Sequence, residues 1–255
     1  MAGEFDFSGR TALITGAASG IGAATAHWLA ARGIAELVLV DRDEAGLAAL
    51  ALPVPARTYA GDVADEALWD RIEREVPRLD HALLNAGIAN GCPIVDQSFA
   101  EWRRMLSTNL DGMFLSLRAA LRIMQRAASG RSLVLTSSAA GVKPVPMTAA
   151  YGSSKAAIAH LARLAAAEVG PQGIRVNAIA PGRVDTPIWT TTDHFKAMAE
   201  ELGKDAAKAA LAAEVSPTDR LATAEELAGQ IGFLLSDAAA GITGTVMVSD
   251  NGYSL

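Results

Sequence analysis

Thr15-Gly16-Ala17-Ala18-Ser19-Gly20-Ile21-Gly22 follows a short apolar run, Thr11–Thr15, and opens an Ala-rich, helix-like segment over 21–31. A strand that ends in a glycine cluster and restarts as a helix is the setting in which a dinucleotide fingerprint has meaning. Glycine lets the backbone turn sharply and come close to a pyrophosphate. The free N–H groups at the helix start, with the positive end of the helix dipole, then meet the anion. The spacing here is G-x-x-x-G-x-G rather than G-x-G-x-x-G, and tight turns and helix packing also use glycine. The cluster therefore needs support from elsewhere in the chain.

Asp41 supplies some. It closes a second apolar run, 37–40, and stands 25 residues after Gly16. A carboxylate there accepts hydrogen bonds from the adenosine ribose and repels a 2′-phosphate, which favours NAD over NADP. Arg42 works the other way, since a guanidinium pairs with a 2′-phosphate. Ala17 and Ala18 bring no cation to the turn, so NAD is the expected cofactor. The plainer readings are a turn or cap role for Asp41 and a solvated charge for Arg42.

Further runs follow at His81–Leu84, 132–136, 174–179 and 245–248, separated by helical segments at 102–127, 151–169 and Ala224–Leu235. Such alternation predicts βαβ units. The strand runs are continuously apolar, as in a parallel sheet covered on both faces. The expected fold is α/β: a single Rossmann-type domain, 1–255, with a doubly wound parallel sheet and helices on both faces. The stretch 193–215 has no clean stripe of large apolar residues and reads as an inserted pair of helices. Between Asp41 and Asp62 there is room only for a stubby helix.

The formal charge is −6 and no Lys/Arg block stands out, so neither nucleic acid nor an anionic membrane is an expected partner. No apolar stretch reaches the roughly 18 residues of a membrane span. The single cysteine, Cys92, can form no intrachain disulfide, and no secretory h-region stands at the start. A cytoplasmic protein is expected, with no metal site.

Tyr151 and Lys155 form a Tyr-x-x-x-Lys pair, which places both side chains on one helical face. A free phenol titrates near pH 10 and is a poor base at neutrality. A neighbouring ammonium, or an oxidised nicotinamide ring, favours the phenolate and would bring the tyrosine toward useful proton transfer. Taken alone, such a pair is commonly a surface contact.

With these residues the chain resembles the short-chain dehydrogenase/reductase family, in its compact branch of about 250 residues. The Gly16–Gly20–Gly22 turn, Asp62, Asn85-Ala86-Gly87, Asn109, Ser138, Tyr151/Lys155 and Pro181-Gly182 with Thr186 stand in the family's order. The resemblance implies that Tyr151 exchanges a proton with the substrate oxygen and that Ser138 hydrogen-bonds it. Lys155 would tune Tyr151 and hold the nicotinamide ribose, and Asn109 would keep a water linking Lys155 to solvent. The cofactor contacts it implies are Gly16, Ser19, Gly20, Ile21, Gly22, Asp41, Arg42, Asp62, Val63, Asn85, Ala86, Gly87, Tyr151, Lys155, Pro181, Gly182, Val184 and Thr186. It also implies a homotetramer, a small alcohol or ketone substrate, and a substrate lid at about 187–215. One departure is the end of the last run, Val248-Ser249-Asp250-Asn251-Gly252. Asn251 there tolerates a left-handed backbone better than most residues.

For the substrate, Ser138, Met147, Tyr151 and Trp189 are the expected contacts, while Arg183, Lys143 and His194 are weaker candidates for meeting an acidic group. The leading expectation is an NAD-dependent oxidoreductase interconverting a secondary alcohol and a ketone. The alternatives are an NADPH-linked 3-ketoacyl reductase, should Arg42 override Asp41, and a non-catalytic cofactor-sensing protein. Retention of Ser138, Tyr151 and Lys155 together speaks against the last.

Overall fold

A computed structural model describes residues 5–126, 131–190, 192–213, 217–218 and 220–255. Among them, seven strands form one parallel sheet: β1 Thr11–Thr15, β2 Glu36–Asp41, β3 Ala56–Ala60, β4 His81–Leu84, β5 Arg131–Thr136, β6 Ile174–Pro181 and β7 Val246–Ser249. Their order is β3-β2-β1-β4-β5-β6-β7. The order reverses between β1 and β4, so the crevice above the carboxyl ends of those strands is where an α/β sheet binds its ligand.

The helices are α1 Gly20–Ala30, α2 Glu44–Ala49, α3 Glu66–Glu75, α4 Phe99–Leu106, α5 Gly112–Met124, α6 Ala149–Val169, α7 Pro187–Thr190, α8 Asp193–Leu202, α9 Lys204–Ala213 and α10 Ala224–Leu235. Side chains alternate across the sheet with a period of two. On β1, Leu13 faces a core shared with Trp69 and Ile72 of α3, Leu117 of α5 and Ile158 of α6. Its neighbours Ala12 and Ile14 face the other core, with Leu29 of α1 and Ile231 of α10. Helices α1 and α10 approach so closely that a Cβ on Gly232 would lie 2.3 Å from the Trp28 ring.

Two elements depart from the expectation. Strand β3 was not visible as an apolar run because it lies at the sheet edge, where only Tyr59 of its five residues is buried. Arg57 instead reaches across to Glu36 of β2 at 2.6 Å, a polar finish that suits an edge strand. The helix expected over 102–127 begins earlier, at Phe99 under a Ser98 cap, and a π turn at Ser107–Asp111 divides it into α4 and α5. Residue 127 lies outside the described residues. Helix α2 is stubby, as expected. In the 193–215 stretch, α8 and α9 pack on each other through Phe195 and Ala207, forming a small core of their own; residues 214 and 215 lie outside the described residues. Asn251 adopts a left-handed φ of 53°, so the departing turn at the end of β7 forms with asparagine in that place.

The amino ends of the strands, far from the crevice, hold a polar cluster. His81 Nδ1 and the Ser132 hydroxyl are 2.9 Å apart, and that hydroxyl donates to the Leu235 carbonyl at 2.7 Å. Burial pushes His81 down to about 3, and the nearby Arg10 cation adds to the effect. The ring is therefore neutral.

Candidate active site

The turn after β1 is shaped by what its glycines lack. Gly16 has φ 66°, and a Cβ there would sit 3.0 Å from the Ala86 Cα. A Cβ on Gly22 would lie 2.0 Å from the Gly16 carbonyl oxygen, so only glycine lets α1 start directly behind the turn. Thr15 binds the neighbouring strand end, its Oγ1 accepting the N–H groups of Asn85 at 2.8 Å and Ala86 at 3.0 Å.

Helix α1 starts without a side-chain cap although Ser19 occupies the N-cap position. By contrast Asp43, Asp65, Ser98 and Thr223 cap α2, α3, α4 and α10. The α1 start opens onto a cleft of about 480 Å³ lined by Gly16, Ser19, Gly20 and Ile21 on that side. An uncapped helix start at a glycine turn suits an anionic phosphate group.

At the end of β2 the Asp41 carboxylate accepts the Ala18 N–H at 2.9 Å and the Asp43 N–H at 3.0 Å. The acid is thus tied to the turn itself. Arg42, Asp62, Val63, Asn85, Ala86 and Gly87 line the cleft with it. Asp62 also shapes its own loop, accepting the Ala64 N–H at 2.9 Å.

The opposite wall comes from β5 and α6. Ser138 has an extended backbone and begins a short turn, its Oγ accepting the Ala140 N–H at 3.2 Å. Ser137 donates to the Lys155 carbonyl at 2.7 Å, which fixes α6 against the end of β5. Lys155 Nζ donates to the Thr136 carbonyl at 2.8 Å and stands 5.7 Å from the centre of the Tyr151 ring. Burial pushes the Lys155 ammonium down to about 8. Burial also pushes the Tyr151 phenol above its ordinary value, opposed by its contact with the Ser138 side chain. This differs from the expected lowering: in the protein chain by itself, loss of solvation outweighs the contact with Ser138.

Asn109 sits in the π turn and is fully buried. Its Oδ1 accepts the Ile88 N–H at 2.8 Å and its Nδ2 donates to the Ile88 carbonyl at 2.9 Å, so the side chain clamps the chain leaving β4. A Cβ on Gly87 would stand 3.2 Å from Asn109 Oδ1 and 3.5 Å from Lys155 Nζ; the two groups flank one small space.

Pro181, Gly182, Val184 and Thr186 close the cleft from the β6 side. Thr186 lies over the glycine turn, 3.2 Å from where a Cβ on Gly20 would be. The Thr136 hydroxyl oxygen, which belongs to a cleft-lining residue, is buried without a hydrogen-bond partner. That orphan, the uncapped α1 start and the absent side chains at Gly16 and Gly22 together fit a dinucleotide. Among the described residues, no group of three His, Cys, Asp or Glu side chains could hold a metal ion.

The expected cofactor and proton-transfer positions are brought together; the substrate candidates fare unevenly. Met147 is half-exposed at a left-handed φ of 67° and lies outside the cleft walls, its carbonyl taken by the Cys92 N–H at 2.8 Å. Lys143 reaches the C-terminal tail, donating to the Tyr253 carbonyl at 2.8 Å with its Nζ 4.6 Å from the ring centre. Arg183 is not a wall residue. Trp189 and His194 lie on α7 and α8, with side chains outside the described residues. Sequence reasoning missed Ile88, Ala89, Asn90, Arg104 and Thr108, all lining the cleft. No local pattern marked them, since their place in the wall depends on how the segments after β4 and in α4 meet Tyr151.

A family profile described as "Enoyl-(Acyl carrier protein) reductase" matches residues 16–254. The chain is 40% identical over 256 residues to cis-4-hydroxycyclohexanecarboxylate dehydrogenase of Sinomonas cyclohexanicum, with 97% of this chain and 98% of that one covered. It is 38% identical over 263 residues to D-threitol dehydrogenase of Mycolicibacterium smegmatis, covering 99% of this chain and 96% of that one. The crystal structure of levodione reductase superposes with a TM-score of 0.88 at 37% identity, covering 97% of this chain and 98% of that one.

Proposed function

The chain belongs to the short-chain dehydrogenase/reductase family and is an oxidoreductase acting on CH–OH groups, and from that premise we propose that it is an NAD-linked dehydrogenase of ring-bearing secondary alcohols in which Ser138, Tyr151 and Lys155 carry the proton chemistry. One observation carries this reading. The buried Tyr151–Lys155 pair, with Ser138 beside it, forms one wall of a cleft whose other wall is the uncapped α1 start and Asp41.

A bound nicotinamide supplies the hydride carrier. The Tyr151 hydroxyl gives or takes a proton at the substrate oxygen. The Ser138 hydroxyl donates a hydrogen bond to the same oxygen and orients it. Lys155 holds the nicotinamide ribose, and its charge favours the phenolate. Asn109 acts by position: its clamp on Ile88 sets that wall, and the space at Gly87 between Asn109 Oδ1 and Lys155 Nζ is the route by which Lys155 exchanges protons with solvent. Asp41 and the glycine turn hold the adenosine and pyrophosphate ends.

Asp41 supports NAD because its carboxylate is fastened in the cleft by the Ala18 N–H. Arg42, also a cleft residue, favours the second reading, an NADPH-linked reductase. The ring-alcohol class takes its support from an apolar surface of Ile88 and Ala89 packed beside Tyr151 and from the substrate in the Sinomonas relative's name. Trp189 and the helices α7 to α9 form the lid in this proposal, fastened by Lys208 to Asp185 at 2.8 Å. Half-exposed Phe114 on α5 and Leu164 on α6 support a homotetramer, and the single cysteine agrees with a cytoplasmic location.

Initial rates with 4-hydroxycyclohexanecarboxylate, cyclohexanol and a four-carbon polyol, each with NAD and with NADP, test the proposal. Ring alcohols oxidised with NAD at the highest kcat/KM support it. Faster turnover of the polyol, or a preference for NADP, overturns the corresponding part.

A further inference from the structure

Tyr151 packs in a small cluster with Met105, and around that cluster lie Ile88, Ala89 and Trp102. The surface beside the reacting hydroxyl is therefore apolar. One residue farther along the same two segments the character changes. Asn90 follows Ala89, Arg104 precedes Met105, and both line the cleft. Arg104 is bonded in bidentate fashion to Glu101 one turn back, Nε to Oε2 at 2.7 Å and Nη2 to Oε1 at 2.6 Å. Asn90 also hydrogen-bonds Glu101. Half of the Arg104 side chain remains exposed, and the bonds to Glu101 use Nε and Nη2, leaving Nη1 for another acceptor.

From this arrangement we propose that Arg104 is a specificity-determining residue, binding a carboxylate that the substrate carries on the far side of its apolar ring from the reacting hydroxyl. The inference deepens the ring-alcohol reading and rests on it. The ring lies against Ile88 and Ala89, and the anionic group meets the guanidinium where the wall turns polar. Glu101 restrains Arg104 and partly neutralises it, so the site takes an anion without presenting a bare cation. Removing the Glu101 charge while keeping its shape strengthens the pull on the anion. With the Nε and Nη2 edge held by Glu101, the N–H groups of Nη1 remain to donate charge-assisted hydrogen bonds to the substrate carboxylate.

The probe is cyclohexanecarboxylate, which has the ring and the anion but no hydroxyl to oxidise. Its binding is measured by isothermal titration to the NAD-loaded protein, independently of turnover. Arg104→Met should weaken binding by about tenfold, the scale of a charge-assisted hydrogen bond partly open to solvent. Arg104→Lys should restore part of it, and Glu101→Gln should tighten it relative to wild type. The circular-dichroism spectrum of Arg104→Met should match that of the wild type, which shows that the fold survives. Undetectable binding of the probe to wild type, equal binding by wild type and Arg104→Met, or weaker binding by Glu101→Gln overturns the assignment. If cyclohexanol is oxidised while probe binding ignores Arg104, the carboxylate site fails and the ring-alcohol reading stands. If the probe needs Arg104 but no ring alcohol is oxidised, the ring-alcohol reading fails and the anion site stands.

Discussion

Lys155 Nζ stands 5.7 Å from the centre of the Tyr151 ring, one helical turn away on the buried face of α6. Burial acts on the two in opposite senses, pushing the ammonium down to about 8 and the phenol up. Both shifts favour the neutral forms, so the chain holds at this spot a pair of groups whose charged forms it solvates poorly. In the proposed mechanism the oxidised nicotinamide would favour the phenolate, and the phenolate would in turn favour the ammonium. A site arranged in this way for the proposed proton chemistry would come at some expense to stability.

Lys155→Met should therefore stabilise the cofactor-free protein at pH 7. The buried ammonium, titrating near 8 in the folded state against about 10.4 unfolded, costs its full amount below pH 8. The cost fades as pH rises from 8 toward 10.4, where the unfolded state alone still holds the proton. Allowing for the lost bond to Thr136, urea unfolding should show a gain of about 2 kcal/mol at pH 7, shrinking by pH 9.5. NAD binding, followed by fluorescence, should weaken in the same variant. A less stable variant at pH 7 would show that the ammonium is not destabilised by burial.

Asp41→Ala and Asp41→Asn separate charge from shape at the end of β2. Asparagine can still accept the Ala18 N–H but no longer repels a 2′-phosphate. Both variants should lower the ratio of kcat/KM for NAD over NADP by about tenfold or more, the scale of one lost charged contact. An unchanged ratio in both would move cofactor choice away from Asp41.

His81 should set the onset of acid destabilisation. Its folded value of about 3 lies below the unfolded value of about 6.5. The unfolded state therefore binds the extra proton first, and stability is lost as pH falls from 6.5 toward 3. At pH 5 the loss from this one group is about 2 kcal/mol. His81→Gln should flatten the stability profile between pH 6.5 and 5, measured by urea midpoints. A slope equal to that of wild type would assign the acid sensitivity to other groups.

What could be read in the sequence was what local chemistry makes explicit. The glycine turn, the apolar central strands and α6 with its Tyr-x-x-x-Lys pair follow from side-chain periodicity and backbone freedom. Strand β3 was hidden because an edge strand has one hydrogen-bonded neighbour and little to bury, so its Arg57 and Thr58 do not alternate with apolar residues. The π turn at Asn109 was hidden because one extra residue in a helical turn leaves no mark on composition. The surroundings of Met147 and Lys143 were also not legible, because the left-handed backbone at Met147 and the bond from Lys143 to the Tyr253 carbonyl arise from the folded loops and not from local pattern. Arg104 was overlooked because its place in the wall depends on how α4 meets Tyr151, a tertiary contact.

The most direct test of the account is single-turnover oxidation of cyclohexanol at saturating NAD, comparing wild type with Tyr151→Phe. The ring still packs against Met105 and only the hydroxyl is lost, so NAD binding should stay near the wild-type value. Hydride transfer should slow by about 10²- to 10⁴-fold, the contribution of a positioned acid or base. In the wild type the rate should climb with pH as the phenol loses its proton, with a midpoint brought below about 10 by the bound oxidised cofactor. Equal single-turnover rates in the two proteins would contradict the assignment of Tyr151 as the group that takes the proton.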